Sequence, residues 1–269
     1  MKKNFFKILL FLFLSAIFLS GCDQQSDFVA VKINNLATTA DATAPVGAAP
    51  LKEQPDNNLV ADEQLVSATT SSFTVPQRLE LPVLFAQQAP FSNWDALHEE
   101  ACEEASMIMA DRYFRQQELN ETIMEAEIQK LVNWEAERGY RVDLTAAEVV
   151  TVLNNYFGLT ARLDQEVTTD KIKYLLAQGS LVLVPAAGRE LKNPNFKQPG
   201  PIYHMLVIKG YNHKEFITND PGTRKGNGWV YTYNRLLAAV HDWDHQASAG
   251  DMTDEEMSRG QKVMIVVEK

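Results

Sequence analysis

Hydrophobic and polar positions fall into three regimes along the chain. Residues 8–19 form a nearly unbroken apolar run, Ile8-Leu9-Leu10-Phe11-Leu12-Phe13-Leu14-Ser15-Ala16-Ile17-Phe18-Leu19, too short to span a bilayer comfortably. Residues 23–78 show no period: two aromatics, Phe28 and Phe73, stand in a drift of Ala, Thr, Asp, Gln, Asn and Pro. From residue 79 the pattern sharpens. Helical spacing predicts helices over Asp95 to about Arg115, Leu119 to Arg138, a segment opened by the capping-box sequence Thr145-Ala146-Ala147-Glu148, and Asp170 to Gln178, stopped by Gly179. The period then shortens. Leu181 to Pro185, His204 to Gly210, Glu215 to Asn219, Gly228 to Tyr233 and Lys262 to Glu268 read as strands, with a helix near Asn234 to Asp242 between the last two. Helices first and an antiparallel sheet second predict an α+β domain over 79–269, with a cleft between its helical and sheet halves as the natural place for a site.

Composition narrows the function classes. Of 269 residues 45% are hydrophobic and 22% charged, enough to bury an ordinary core. Lys plus Arg number 25 against 35 Asp plus Glu, a net charge of −10. A nucleic-acid binder needs a cationic footprint, and no such patch is visible. Two cysteines exclude a disulfide scaffold, and the sequence offers no paired C-x-x-C or H-E-x-x-H; no cofactor or metal is expected.

Lys2, Lys3 and Lys7 precede the apolar run, which then ends Leu19-Ser20-Gly21-Cys22. This resembles the lipobox of bacterial lipoproteins, and the resemblance implies cleavage after residue 21 and acylation of Cys22, with each buried methylene adding roughly 0.8 kcal/mol of anchoring. The expected location is the extracytoplasmic face of a cell membrane. Residues 22–78 then read as the acylated cysteine and a tether too poor in apolar surface to offset its ordering entropy; as a flexible coil it reaches roughly 40 Å.

With Cys22 lipidated, Cys102 has no partner, and a lone thiol outside the cytoplasm is either buried and inert or kept for its chemistry. It sits near the start of a predicted helix, in Leu97-His98-Glu99-Glu100-Ala101-Cys102-Glu103-Glu104-Ala105-Ser106, where the helix dipole favours a thiolate. Glu99, Glu100, Glu103 and Glu104 oppose this if they point at the sulfur, although neighbours at i+1 and i+2 on a helix point away. A base must come from elsewhere. His204 heads the apolar run His204-Met205-Leu206-Val207-Ile208, and Asp220 ends the next predicted strand in Thr218-Asn219-Asp220-Pro221-Gly222. Side by side in an antiparallel pair, Asp220 could fix the tautomer of His204. Each taken alone is equally a satisfied strand-end polar group or a routine turn residue. His98, one turn before Cys102, is a second candidate base.

The three together resemble the bacteriocin-processing (double-glycine) cysteine peptidases of the papain clan, in particular their stand-alone secreted forms. The resemblance runs from about Leu81 to Lys269. It includes Leu81-Pro82-Val83-Leu84-Phe85-Ala86-Gln87-Gln88-Ala89-Pro90 with Asn93-Trp94, then Ala101-Cys102-Glu103-Glu104-Ala105-Ser106, then His204 through Gly210. It implies a papain-like fold, Cys102 as nucleophile, His204 as base, Asp220 as orienting carboxylate, and a glutamine before the cysteine as oxyanion donor: Gln88, or Gln87 in its place. Glu103 stands where many members have glycine.

Other residues fit structural roles around that site. His241 and His245 are spaced to ligate a metal if helical, or to end a solvated helix with Trp243 packed inward. Phe91 and Trp94 suit a substrate groove or the core, Met107, Ile108 and Met109 the core, and the Pro- and Asn-rich segment Asn193 to Pro201 a loop edging the cleft. Three functions follow as expectations: a membrane-tethered peptidase acting on peptides or proteins, a hydrolase of peptidoglycan stem peptides, and a peptide-binding papain-like module without turnover.

Overall fold

Alternation in the second half of the chain builds one sheet, and its two faces organise everything else. The computed structural model describes residues 73–247 and 252–269; the apolar run, Cys22 and the tether as far as residue 72 lie outside these. In chain order the elements are β1 (Leu79–Glu80), α1 (Cys102–Arg115), α2 (Glu121–Ala136), α3 (Ala146–Asn155), β2 (Thr160–Asp164), α4 (Thr169–Ala177), β3 (Leu181–Ala187), a 3-10 turn (Gly188–Leu191), β4 (Tyr203–Tyr211), β5 (Glu215–Asn219), β6 (Asn227–Thr232), α5 (Tyr233–Ala239), α6 (Asp254–Met257) and β7 (Met264–Glu268). The seven strands pair antiparallel in the order β2-β7-β3-β4-β5-β6, with β1 on β4.

The central strands β3 and β4 are buried along their whole length. Successive side chains face opposite ways, so two cores form. Leu181, Leu183, Met205, Val207, Ile265 and Val267 pack with α1, α2 and α3. Val182, Val184, Leu206, Ile208, Met264 and Val266 pack with α4 and α5. The expected mixed helix and antiparallel-sheet class holds, but the halves are less segregated than chain order implies. β2 lies inside the helical half and completes the sheet edge against β7, while α4 crosses to the far face. The short segment Thr160–Asp164, exposed at Thr160, Arg162 and Leu163, alternates too weakly to register as a strand before its partner is known.

Local signals set the helix boundaries. Thr145 and Glu148 form the expected capping box on α3, Asn120 caps α2, and Thr168 caps α4, which ends before Gly179 at φ +89°. The first helix starts later than Asp95. Asp95 Oδ1 accepts the N–H groups of Leu97 and His98, and the Gln88 side-chain amide donates to the carbonyls of His98 (2.9 Å) and Glu99 (3.0 Å). Those carbonyls would otherwise take the N–H groups of residues 102 and 103, so α1 begins at Cys102 itself. The boundary of the domain also shifts. Phe73 meets Tyr174 edge-on at 5.8 Å, and Tyr211 donates its hydroxyl to the carbonyl of Pro76, so 73–78 lie along the domain.

Where α1 meets α2, two carboxyl groups lie buried together, Glu104 and Glu135, each acting on the other's titration. Burial raises both pKa values, and for Glu135 the charge of Glu104 adds to it. A proton therefore stays on the pair at pH values where the unfolded carboxyls, near 4.5, have lost theirs. That contribution is complete in acid and is lost as pH rises through the elevated folded values. Glu135→Gln keeps a donor for Glu104 without the proton. Its melting-temperature advantage over the parent should grow from near zero at pH 5 to about 3 °C or more at pH 8, read by calorimetry; an advantage that stays flat or shrinks with pH rules out the shared proton.

Candidate active site

Each functional side chain is delivered by an element whose position the packing fixes. α1 lies against β4, with Ser106 donating its hydroxyl to the Met205 carbonyl. That brings Cys102, the first residue of α1, to a cavity of about 1060 Å³ also lined by Gln88, Trp94, Asp143, Tyr203, His204 and Trp243. His204 enters the same cavity from the start of β4, across from Ala186 of β3. Its Nε2 lies 2.8 Å from Asp220 Oδ1, which leaves Nδ1 as the other ring nitrogen.

Asp220 is fully buried, and a buried carboxylate must be satisfied on all sides. Oδ1 accepts from His204 and from the Gly222 N–H at 3.1 Å. Oδ2 accepts the Tyr231 hydroxyl at 2.6 Å and the Asn193 amide at 3.0 Å. Burial pushes the Asp220 pKa up, but the His204 charge and the hydrogen bonds from His204, Tyr231 and Asn193 outweigh it, and the carboxyl is held below its ordinary value. The same surroundings raise the Tyr231 pKa, through burial and then the Asp220 charge.

The imidazole is clamped on its flanks as well. Phe196 meets it edge-on at 5.2 Å, and a Cβ on Gly222 would lie 2.8 Å from its Cε1, so no side chain fits there. Asn193, Phe196 and Tyr231 were not among the expected site residues. Asn193 and Phe196 fall in the loop expected to edge the cleft, which it does from Pro194 to Pro201; Tyr231 stands opposite Phe216 in the β5–β6 pairing and gives no signal until its hydroxyl is seen to reach Asp220.

Cys102 has a less expected environment. The thiol is 4% exposed and donates to Glu103 Oε2 at 2.8 Å, while Glu103 Oε1 accepts the Leu144 N–H at 2.8 Å. The expectation that an i+1 neighbour points away fails here. At the first turn the side chain can fold back along the helix start, and Leu144 holds it there. Burial raises the Cys102 pKa well above its ordinary value, and the charges of Glu103, Glu104 and Asp143 and the Glu103 hydrogen bond add to it. Burial, with Glu104 and Asp143, likewise raises Glu103. These surroundings favour the thiol over the thiolate.

The remaining candidates separate. Gln88 lines the cavity, but both amide hydrogens are committed to His98 and Glu99, while its backbone N–H donates to Pro221 at 3.0 Å. As placed it ties the entry of α1 to the turn after Asp220, and it could donate to an oxyanion only by leaving one of those carbonyls. Gln87 donates to Pro90 and does not line the cavity. His98 is turned away into Asp95 and Glu125, at 2.8 and 3.0 Å, rather than toward the sulfur. Trp94 lines the cavity, whereas Phe91 stands 59% exposed outside it. His241 and His245 bond to the Gly260 carbonyl and to Glu148 in non-helical chain, Trp243 packs inward against Tyr203, and no metal-binding cluster occurs among the described residues.

Comparison with known proteins adds three findings. A family model described as "Peptidase_C39 like family" matches residues 81–250. A crystal structure from Bacillus anthracis, named as that of a candidate C39-like peptidase, is similar with a TM-score of 0.47 and 13% sequence identity over 72% of this chain and 98% of that one. No curated protein matches the chain.

Glu103→Gln keeps an acceptor for Leu144 and removes the charge beside the sulfur. Iodoacetamide should then alkylate Cys102 about tenfold faster at pH 7, since one pKa unit is a factor of ten in thiolate. Peptide mass mapping reads the rate at Cys102 separately from Cys22, and an unchanged or slower rate removes Glu103 as the group that suppresses the thiolate.

Proposed function

The chain belongs to the Peptidase_C39 like family and is an enzyme of the cysteine-peptidase type; from that premise we propose that it hydrolyses peptide bonds through Cys102, His204 and Asp220. The observation that carries this reading is that Cys102 and His204 open into one cavity while the buried Asp220 takes the His204 Nε2–H. In the proposed reaction Nδ1 receives the thiol proton, and the thiolate attacks the substrate carbonyl carbon. The oxyanion forms beside the start of α1, where backbone N–H groups without intrahelical acceptors provide donors; one such donor is worth roughly 3 kcal/mol in comparable sites. The imidazolium returns its proton to the leaving amine, and water attacks the thioester to release the acid with His204 as base. Asp220 holds the ring and balances its charge throughout.

A second reading, a peptide-binding domain without turnover, is favoured by the Cys102 to Glu103 contact, which holds the sulfur protonated. Hydrolysis separates the two. The parent should cleave a casein-derived or fluorogenic peptide mixture, and Cys102→Ala should lower the rate by about 10³-fold or more while the circular dichroism stays unchanged. Undiminished cleavage by the variant removes Cys102 as nucleophile; an inert parent favours the silent domain.

We further propose that the enzyme is held to the outer face of a membrane by lipid on Cys22, the reading supported by Lys2, Lys3 and Lys7, the apolar run and Leu19-Ser20-Gly21-Cys22. On such a tether the stem peptides of peptidoglycan are a candidate substrate. Cys22→Ser should move the protein from the membrane pellet to the soluble fraction and abolish incorporation of labelled palmitate; persistence of both overturns the anchor.

A further inference from the structure

The cleft is electrically divided. The domain as a whole is acidic, with 28 Asp and Glu against 19 Lys and Arg in residues 79–269. Yet two loops on the sheet side bring Arg189, Lys197, Arg224 and Lys225 to the wall of the same cavity as Cys102. They are the loops that seat the imidazole: Phe196 packs against His204 from one, and Gly222 from the other. The facing wall carries Glu99, Glu100 and Asp143, from the entry of α1 and the segment before α3.

Arg189 is paired with Asp254 and donates to the Gly200 carbonyl. Lys197, Arg224 and Lys225 are exposed, and among the described residues none has a carboxylate within ion-pair distance. In a chain with ten more acids than bases, three cations left unpaired on one wall of a cleft concentrate positive potential where a substrate must pass. A peptide lying between the walls is attracted by its carboxylates to the sheet side and repelled by them on the helix side.

Resting on the peptidase reading of the site, we propose that this cleft selects peptides bearing Asp or Glu side chains against the Lys197, Arg224 and Lys225 wall. Arg189, already neutralised by Asp254, shapes that wall rather than binding substrate.

The test uses the full chain with Cys102→Ala and fluorescein-labelled nonapeptide amides carrying three Glu, three Gln or three Lys at the same positions. At about 20 mM salt the Glu peptide should bind about tenfold tighter than the Gln peptide and the Lys peptide weakest, and the gap should narrow at about 300 mM salt. Adding Lys197→Gln, Arg224→Gln and Lys225→Gln together, all at exposed positions, should bring the Glu and Gln peptides level. Equal binding of Glu and Gln peptides, no binding of either, or a Glu preference that survives the triple substitution overturns the proposal. Cleavage is read separately with Cys102 intact: a chain that binds the Glu peptide selectively but cuts none of the three keeps the selectivity and loses the hydrolase.

Discussion

Sealing one carboxylate inside the domain imposes the geometry on which the site depends. Asp220 has no access to solvent, so each of its oxygens must be met by donors from the protein, and the donors come from four separate segments: His204 on β4, Gly222 in the turn, Tyr231 on β6 and Asn193 in the loop after β3. Loss of any one leaves a buried charge short of a partner, which is far costlier than the net gain of an ordinary hydrogen bond. The imidazole is thereby fixed as a by-product of satisfying the acid. Its Nε2 is occupied, its edge is covered by Phe196, and the chain beside it is held to glycine at 222.

The sulfur side follows the opposite logic. Gln88 intercepts the carbonyls of His98 and Glu99 and thereby makes Cys102 the first residue of its helix, where backbone donors and the dipole favour negative charge. The backbone of the same glutamine is bonded to Pro221, next to Asp220, so one residue links the approach to Cys102 with the turn behind the histidine. Against this stand burial and Glu103, both of which favour the neutral thiol. Burial is the larger cause, and it is the one that an arriving substrate cannot relieve. Glu103 is local, and a shift of its carboxylate or its own protonation removes it.

Much of this was legible in the sequence, for identifiable reasons. The apolar runs of β3 and β4 read as strands because they are buried on both faces, and the capping box of α3 is a local signal that no tertiary contact overrides. Placing Cys102 and His204 at one cleft followed from the order of elements and the antiparallel pairing that sets the end of β5 beside the start of β4, whereas Gln88 entered only through the family resemblance. What escaped depends on side-chain reach or register. The orientation of Glu103 is decided by the Leu144 N–H, 41 positions downstream. The commitment of the Gln88 amide depends on carbonyls that a continuous helix from Asp95 would have used internally. β2 needed β7 to exist as a strand, and Tyr231 needed β6 in register.

The two sides of the cleft also differ in how they tolerate charge, and the difference has one origin. The wall contributed by α1 and its entry is acidic down into the core, where Glu104 and Glu135 can be buried together because their pKa values rise and a proton stays with the pair. The sheet wall buries an ionised Asp220 instead, which demands donors rather than protons and finds them in His204, Gly222, Tyr231 and Asn193. The free cations of that wall stand outside the network, on loops whose inward residues are already occupied with His204 and Asp220. Their side chains are thus released from structural duty. A loop that must hold an imidazole with its buried residues can vary its exposed ones at little cost to stability, which makes the rim of this wall the place where substrate preference can change without disturbing the chemistry beneath it.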